Sequence, residues 1–390
     1  MAKSRKEMAL AISGGGYRST LFALGSIWRL NELGILPRIN RITSVSGGSI
    51  LSAFLALKWR NLNFNESGIA ENFAEIIVTP IQIFCSRTLD ILAGIWGLLP
   101  DNKTMGDRVA DLYAKWLFGN ATLQDIPKPG GGPEFIFYAT SLQTGSGVRI
   151  SQDAICDYKV GKLLHPKLPL AKVVGASSAF PPFFSPVTIK CDAAEWKPMK
   201  GTYLYGNLAY RKRLILTDGG VYDNMGLEAV WKKEDGFKTV LVCDAGAPWK
   251  NKTNPGKNWF SQLYRVFCIE GMQVGALRRR ILIDNYKDFD EKGKPRWYGG
   301  TYWGIASEID HYKLADAMVK DNKKTQSLQH MRTRLGRFKP EEQGNLINWG
   351  YALTDTAMRK WYFTTPVTPG KWPLPEYALG RRRLITLMLR

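Results

Sequence analysis

Cysteine, histidine and long apolar runs are scarce in this sequence of 390 residues. Its five cysteines are scattered, without a CxxC pair or the spacing of metal ligands, so we expect reduced structural thiols and no metal or cofactor site. No run of about 18 uncharged apolar residues occurs, which argues against a membrane-spanning helix. The apolar stretch before Gly14 has only about six residues, too short for the hydrophobic region of a signal peptide, so we expect a cytoplasmic location.

Positive charge is in excess. The chain has 54 Lys and Arg against 34 Asp and Glu, a formal net charge of +20. Such a balance favours a polyanionic partner, either an acidic membrane surface or nucleic acid. The basic residues are spread along the chain without a recognised nucleic-acid module, so we expect peripheral binding to an anionic phospholipid surface and no nucleic acid; a nucleic-acid-binding protein is the rival interpretation.

Two short apolar segments, Ile76 to Ser86 and Ile91 to Pro100, and the basic and apolar tail at 381–390 suggest where such docking occurs. Each segment is too short to span a bilayer but apolar enough to lie in its interface or to cover a lipid pocket. Ordinary buried helices are the alternative for the first two. An activator and a homo-oligomer are left open.

The order of apolar runs predicts an α/β fold with a central, mostly parallel sheet flanked by helices. Strands are predicted where short apolar runs end at turn residues, and helices where apolar residues recur at helical spacing. The predicted strands are Glu7–Ser13, Arg41–Val45, Glu134–Tyr138, Arg213–Leu216 and Lys238–Cys243, and the predicted helices are Ser19–Leu33, Ser49–Trp59, Trp259 to about Ile281, and Asn348–Trp361.

We interpret residues 1–390 as a single catalytic domain. Residues 62–133 show mixed helical patterns of apolar residues instead of strand patterns and end in the loop sequence PKPGGGP. They are therefore predicted to form a helical insertion or cap. Residues 260–390 are predicted to be a C-terminal extension of uncertain role, packed on the core.

The first chemical motif is SGGGYR at Ser13–Arg18, between a predicted strand and a predicted helix. Consecutive glycines allow a sharp turn that presents bare N–H groups, and at a helix N-terminus these bind anions. A dinucleotide-binding turn would need GxGxxG, and a P-loop would need Gly-Lys-Ser/Thr; neither pattern is present. A purely structural turn is the alternative.

The second motif is SVSGG at Ser44–Gly48, again between a strand and a helix. A nucleophile elbow needs small residues two positions before and two positions after its serine, and Ser44 and Gly48 satisfy that need around Ser46. Glycine is usual where Ser44 stands, so this is a variant elbow. The third motif, DGG at Asp218–Gly220, follows an apolar strand and can bring a carboxylate to a serine on a neighbouring strand.

In this order along the chain, the three motifs resemble those of the patatin-like phospholipase family, which is related to the catalytic domains of cytosolic phospholipases A2. YATSLQTG at Tyr138–Gly145 and VVGASSAFPPFFSPV at Val173–Val187 are similar to further family landmarks. The resemblance covers roughly residues 7–60 and 134–247 and implies a lipid acyl hydrolase of the phospholipase A or lysophospholipase type. Some bacterial members attack the cell's own membrane as regulated effectors, and that role is an open alternative here.

The resemblance implies Ser46 as nucleophile, Asp218 as base, and Gly14, Gly15 and Gly16 as the oxyanion loop. Arg18 would support that loop or neutralise a lipid phosphate; an ordinary surface arginine is the alternative. A Ser-His-Asp esterase is the rival mechanism, with His311 as its base because His311 follows Asp218 in the order of an α/β-hydrolase triad.

Overall fold

The computed structural model describes residues 6–90 and 103–380 and places them around one mixed sheet of eleven strands. The strands are β1 (Lys6–Ile12), β2 (Ile39–Val45), β3 (Glu134–Ser141), β4 (Gly147–Ile150), β5 (Ala154–Asp157), β6 (Gly161–Leu164), β7 (Val187–Lys190), β8 (Trp196–Lys197), β9 (Arg213–Asp218), β10 (Phe237–Asp244) and β11 (Gly299–Gly304). Their order is β11-β10-β1-β2-β3-β4-β5-β6-β8, and β9 pairs with both β3 and β7.

Helices cover the sheet. They are α1 (Gly16–Glu32), α2 (Gly47–Lys58), α3 (Thr79–Cys85), α4 (Met105–Tyr113), α5 (Leu170–Ser177), α6 (Ala209–Lys212), α7 (Gly220–Asp223), α8 (Trp259–Lys287), α9 (Lys323–Leu328) and α10 (Pro340–Trp361). Within the described ranges, no helix is both long and apolar enough to cross a bilayer.

The five strands from β11 to β3 are mutually parallel and form the centre of the sheet. Successive side chains of a strand point to opposite faces. In β1, Leu10 and Ile12 therefore join the large core cluster on one face, while Ala9 and Ala11 join a smaller cluster on the other. Burial on both faces explains why these strands are continuous apolar runs.

Helix α10 packs tightly across α1. A Cβ atom added at Gly25 would lie 1.8 Å from the Ile347 carbonyl oxygen, and one added at Gly350 would lie 1.9 Å from that of Phe22. Glycine at both positions thus permits the close crossing. This helix begins at Pro340, eight residues before the predicted start, and proline at the first helical position is a known start signal.

Within residues 62–133 the structure describes short helical segments at 74–85, 105–118 and 123–125 joined by loops, and many of their apolar side chains enter the main core. Ile77, Ile81 and Phe84 are at most 1% exposed, whereas Ile83 is 56% exposed. The prediction that Ile76 to Ser86 forms a membrane surface is therefore wrong for most of this segment, because its apolar face covers α1 and α2. The segment Ile91 to Pro100 and the tail at 381–390 lie outside the described residues.

The predicted α/β class is confirmed, with the helices of the C-terminal region added to it. The sheet is more mixed than expected because β4, β5, β6 and β8 extend it as antiparallel strands. The aromatic stretch at 297–303 contributes an edge strand, β11, which was not predicted.

Candidate active site

Two strands meet end to end along one edge of β3. Parallel β2 ends where Val45 pairs with Tyr138, and antiparallel β9 ends where Asp218 pairs with Ala139, the next residue of β3. The opposite edge of β3 is occupied by β4, so β2 and β9 must share this one. Ser46, the residue after Val45, is thereby brought next to Asp218.

Ser46 occupies a sharp turn between β2 and α2. Its backbone has φ 52° and ψ −120°, a conformation that side-chain-bearing residues rarely adopt. Glycine is required on its C-terminal side, because a Cβ added at Gly47 would lie 2.0 Å from the Gly16 carbonyl oxygen. The elbow therefore rests directly against the glycine loop, and strain at the serine is of the kind found at functional sites.

Three further serines support this turn. The Ser46 amide donates to Ser177 Oγ over 3.0 Å, and the Ser49 hydroxyl donates to Ser44 Oγ over 3.0 Å. Ser49 and Ser177 are 2.9 Å apart, and since the single hydroxyl proton of Ser49 goes to Ser44, Ser177 is the donor in this pair. Serine is therefore tolerated at position 44, where glycine is usual, because its hydroxyl accepts the Ser49 hydrogen bond and does not clash.

Asp218 is buried, with 1% of its surface exposed. Its carboxylate accepts a hydrogen bond from the Gly220 amide over 2.7 Å and interacts with the Ser46 side chain beside it. Burial disfavours the charged form and raises the pKa of Asp218 to about 6, although the Gly220 amide and the Ser46 side chain lower this pKa. A carboxylate of this basicity accepts a proton more readily than an ordinary aspartate and is still ionised at neutral pH.

The three loop glycines are not equivalent. The Gly14 amide already donates to the Asn224 carbonyl oxygen over 3.0 Å. Gly15 and Gly16 have φ of 146° and 56° and form the N-cap and first position of α1, where N–H groups have no intrahelical acceptor. The geometry therefore favours Gly15 and Gly16 as anion donors and gives Gly14 a structural hydrogen bond.

Arg18 is 1% exposed and does not lie on the helix surface. Its guanidinium donates to the carbonyl oxygens of Gln329, Met331 and Ala245, at 2.9, 3.0 and 2.6 Å. Burial lowers the pKa of Arg18 to about 10, so the group keeps its charge at neutral pH. It ties the segment at 329–331 to the start of α1, and its contacts are with protein carbonyls rather than with open solvent.

Histidine is not part of this arrangement. His311 is 77% exposed in its side chain and its Nε2 lies 3.0 Å from a Glu308 carboxylate oxygen, while the Asp218 carboxylate lies beside the Ser46 side chain. The triad that would use His311 is therefore not assembled. In the portion of the chain that the structure describes, no group of three or more His, Cys, Asp or Glu side chains is placed to hold a metal ion.

Sequence reasoning did not assign Ser177, Ser49 or Asn224 to the site. Ser177 lies within the 173–187 stretch that resembles a family landmark, and Asn224 lies four residues after the DGG turn. Their contacts depend on tertiary structure, and neither spacing nor periodicity indicates them.

Comparison with solved structures finds weak likenesses. Human GIVD cytosolic phospholipase A2 matches with a TM-score of 0.49 and 12% identity over 90% of this chain and 61% of that one. VipD from Legionella pneumophila matches with a TM-score of 0.38 and 14% identity over 90% of this chain and 66% of that one. The chain thus spans less than two thirds of either protein.

Among curated proteins, no significant sequence match is found. A family model does match, and its description is patatin-like phospholipase; it covers residues 10–231, more than half of the chain. That range contains all three motifs, from the glycine loop through the elbow to the aspartate turn. The chain belongs to the patatin-like phospholipase family.

Proposed function

We propose that this protein is a lipid acyl hydrolase that cleaves fatty-acyl esters of phospholipids or lysophospholipids through a Ser46–Asp218 dyad. The observation that carries the proposal is the placement of the Ser46 hydroxyl, on a strained turn, against the buried Asp218 carboxylate. A neutral hydroxyl is a weak nucleophile, and an adjacent base activates it.

In the first half of the reaction, Asp218 accepts the Ser46 proton while Oγ attacks the ester carbonyl carbon. The carbonyl oxygen gains negative charge, and the Gly15 and Gly16 amides are the donors that support it. One such donor typically lowers the barrier by about 3 kcal/mol. The tetrahedral intermediate then collapses, the protonated Asp218 gives its proton to the leaving alkoxide, and the acyl group stays on Ser46.

In the second half, water attacks the acyl-enzyme and Asp218 takes its proton. Collapse of this second intermediate releases the fatty acid and returns a proton to Ser46. Every proton transfer uses one carboxylate, and a pKa of about 6 suits a group that must both accept and return a proton near neutral pH.

The site of action belongs to the same proposal. We place the enzyme in the cytoplasm, bound peripherally to the inner face of the membrane as a regulated effector. The formal charge of +20 supports attraction to anionic lipid. A lipase with access to its own cell's membrane also needs restraint, which is the reason for proposing regulation.

The test is fatty-acid release from vesicles containing anionic phospholipid, measured by mass spectrometry. Wild type, Ser46→Ala and Asp218→Asn are compared, with His311→Ala as a control that leaves the dyad intact. We expect release by wild type and by the control, and a loss of about four orders of magnitude or more in both dyad variants. Release that survives in Ser46→Ala would refute the proposal.

A further inference from the structure

Helix α8 is an unusual component of this fold because it is long, apolar and almost entirely uncovered. Of its 29 residues, only Leu282 is buried. The apolar side chains that are at least 39% exposed are Trp259, Phe260, Leu263, Tyr264, Val266, Ile269, Val274, Leu277 and Ile281. A monomeric protein rarely leaves so many neighbouring apolar side chains in water, and such patches mark interaction sites.

Most of these residues form a single stripe. Trp259, Leu263, Val266, Val274, Leu277 and Ile281 follow one another at intervals of three, four or eight residues, which keeps them on one side of a helix with 3.6 residues per turn. We call this stripe the α8 apolar face.

The other side of α8 is fixed to the protein. Arg278 lies 2.7 Å from Glu228 and 3.6 Å from Asp223, and Arg279 lies 3.0 Å from Asp244. These ion pairs hold the C-terminal half of α8 against the protein and so fix the orientation of the helix. The α8 apolar face is on a different side of the helix and is exposed.

The α8 apolar face adjoins the catalytic centre. Asp223 closes α7, the short helix that follows Asp218. Further toward its N-terminus, α8 places the Phe267 ring 6.3 Å from the ring of Phe180, in an edge-to-face contact. Phe180 follows Ala179, whose carbonyl oxygen accepts the Asp218 amide over 3.0 Å. Phe180 and Phe183, 38% and 59% exposed, extend the apolar surface toward the dyad.

The charges around this face are positive. Residues 247–283 contain seven Lys and Arg and a single acidic residue, Glu270. Arg278 and Arg279 are neutralised by the carboxylates named above, but Lys250, Lys252 and Lys257, in the loop that leads into α8, are exposed. Apolar and aromatic side chains bordered by lysines are the combination that binds an anionic lipid surface.

A second copy of this chain fits the face less well. Two such surfaces would bring like charges together. A coiled coil also needs a heptad seam, and continuing the Trp259, Leu263, Val266 spacing as heptads would put Glu270, Gln273 and Arg280 at the seam.

We infer that the α8 apolar face and its lysine border dock on an anionic phospholipid bilayer and hold the Ser46–Asp218 centre at the lipid surface. The inference rests on the proposed function for its substrate, since docking at this place delivers phospholipid to the dyad. The proposed docking surface is therefore α8, which is exposed, and not the segment at 76–86, whose apolar side chains lie mostly in the core.

The experiment separates docking from catalysis. Ser46→Ala protein, which leaves the lipid intact, is sedimented with vesicles of phosphatidylcholine, with and without phosphatidylglycerol. Trp259→Ala combined with Leu263→Ala removes part of the apolar face, and Lys250→Glu combined with Lys252→Glu removes part of its charge. Trp361→Ala is the matched control, since Trp361 is 62% exposed on α10, outside the proposed surface.

We expect binding that requires phosphatidylglycerol, a partition coefficient lowered about tenfold or more by either double variant, and no change in the control. Equal binding by both double variants and their parent would overturn the inference. Light scattering that shows a dimer dissociated by Trp259→Ala with Leu263→Ala, without vesicle binding, would overturn it in favour of self-association. Hydrolysis of a water-soluble short-chain ester by the Ser46-containing protein reports separately on the dyad, so failure there leaves the docking result standing.

Discussion

Replacing Asp218 with asparagine should abolish activity and at the same time stabilise the fold at neutral and alkaline pH. Asp218 has an ordinary pKa of 3.8 in the unfolded chain and about 6 in the folded protein, because burial disfavours its charge. The folded state therefore holds this proton more tightly than the unfolded state. Ionisation consequently destabilises the fold as pH rises from about 4 to about 6, and the effect is complete above that range.

The size of the effect follows from the two pKa values. At about 1.36 kcal/mol per pH unit, the ionised carboxylate costs about 3 kcal/mol above pH 7. Asparagine cannot ionise, yet its Oδ1 can accept the Gly220 amide and its Nδ2 can donate to Ser46. We therefore expect the free energy of unfolding of Asp218→Asn, relative to wild type, to increase by about 2 kcal/mol between about pH 4.5 and about pH 8.

Urea unfolding of both proteins at the two pH values measures this difference in stability. Taking the change in that difference between the two pH values removes any effect of the substitution that does not depend on pH. Asp284→Asn, the same chemical change at an exposed position of α8, is the control. A relative stability that does not change with pH, or that falls as pH rises, would show that Asp218 has no raised pKa. The account of its basicity would then be wrong.

Three further changes test the surroundings of the dyad. Ser177→Ala removes the acceptor of the Ser46 amide, so we expect about 1 to 2 kcal/mol less stability in urea and a kcat on a soluble ester lowered about tenfold with little change in KM. Gly16→Ala would place a Cβ atom 1.8 Å from the Thr333 carbonyl oxygen at a φ of 56°. We therefore expect this variant to lose more than about 2 kcal/mol of stability and to lose activity. Gly201→Ala is the control: its φ is 88° but a Cβ atom there would have no neighbour within 4 Å, so it should cost only about 1 kcal/mol. His311→Ala should keep wild-type activity from about pH 5 to 9, and loss of activity in a folded His311→Ala protein would restore the triad mechanism.

Much of the parallel centre could be predicted from the sequence because each of its elements has a local signal. The apolar runs of β1, β2 and β10 are bounded by turn residues, and apolar spacing predicts α1 from Ser19, although the helix begins three residues earlier at Gly16. The same signals located Ser46 and Asp218 at strand ends. Their contact could not be predicted, because it depends on the register of β2 and β9 on β3.

The error at residues 76–86 has a physical origin. Apolar spacing shows that a helix has an apolar face but does not show what covers it. Residues 76–86 have this pattern and are buried, whereas α8 has it and is exposed. In the same way, nothing near Arg18 indicates that carbonyl groups more than 300 residues later surround its guanidinium.

The strands β4 to β8 were missed because they are at most four residues long, too short for a reliable alternation of polar and apolar residues. They lie between β3 and β9, and most of their pairing is with one another.

The end-to-end meeting of β2 and β9 on β3 has a consequence for how such a protein can change length. The catalytic residues are positioned by strand pairing with adjacent residues of β3: Val45, which precedes Ser46, pairs with Tyr138, and Asp218 pairs with Ala139. The chain between Ser141 and Arg213 returns to the same edge and supplies Ser177 and Ala179 to the site, but parts of it that are remote from the dyad, such as the turn between β5 and β6, can gain or lose residues and leave the distance between nucleophile and base unchanged. A single-residue slip of β9 would instead move Asp218 by about 3.4 Å and turn its side chain to the opposite face. The dyad therefore tolerates added residues in such a remote turn but no displaced residue in β9.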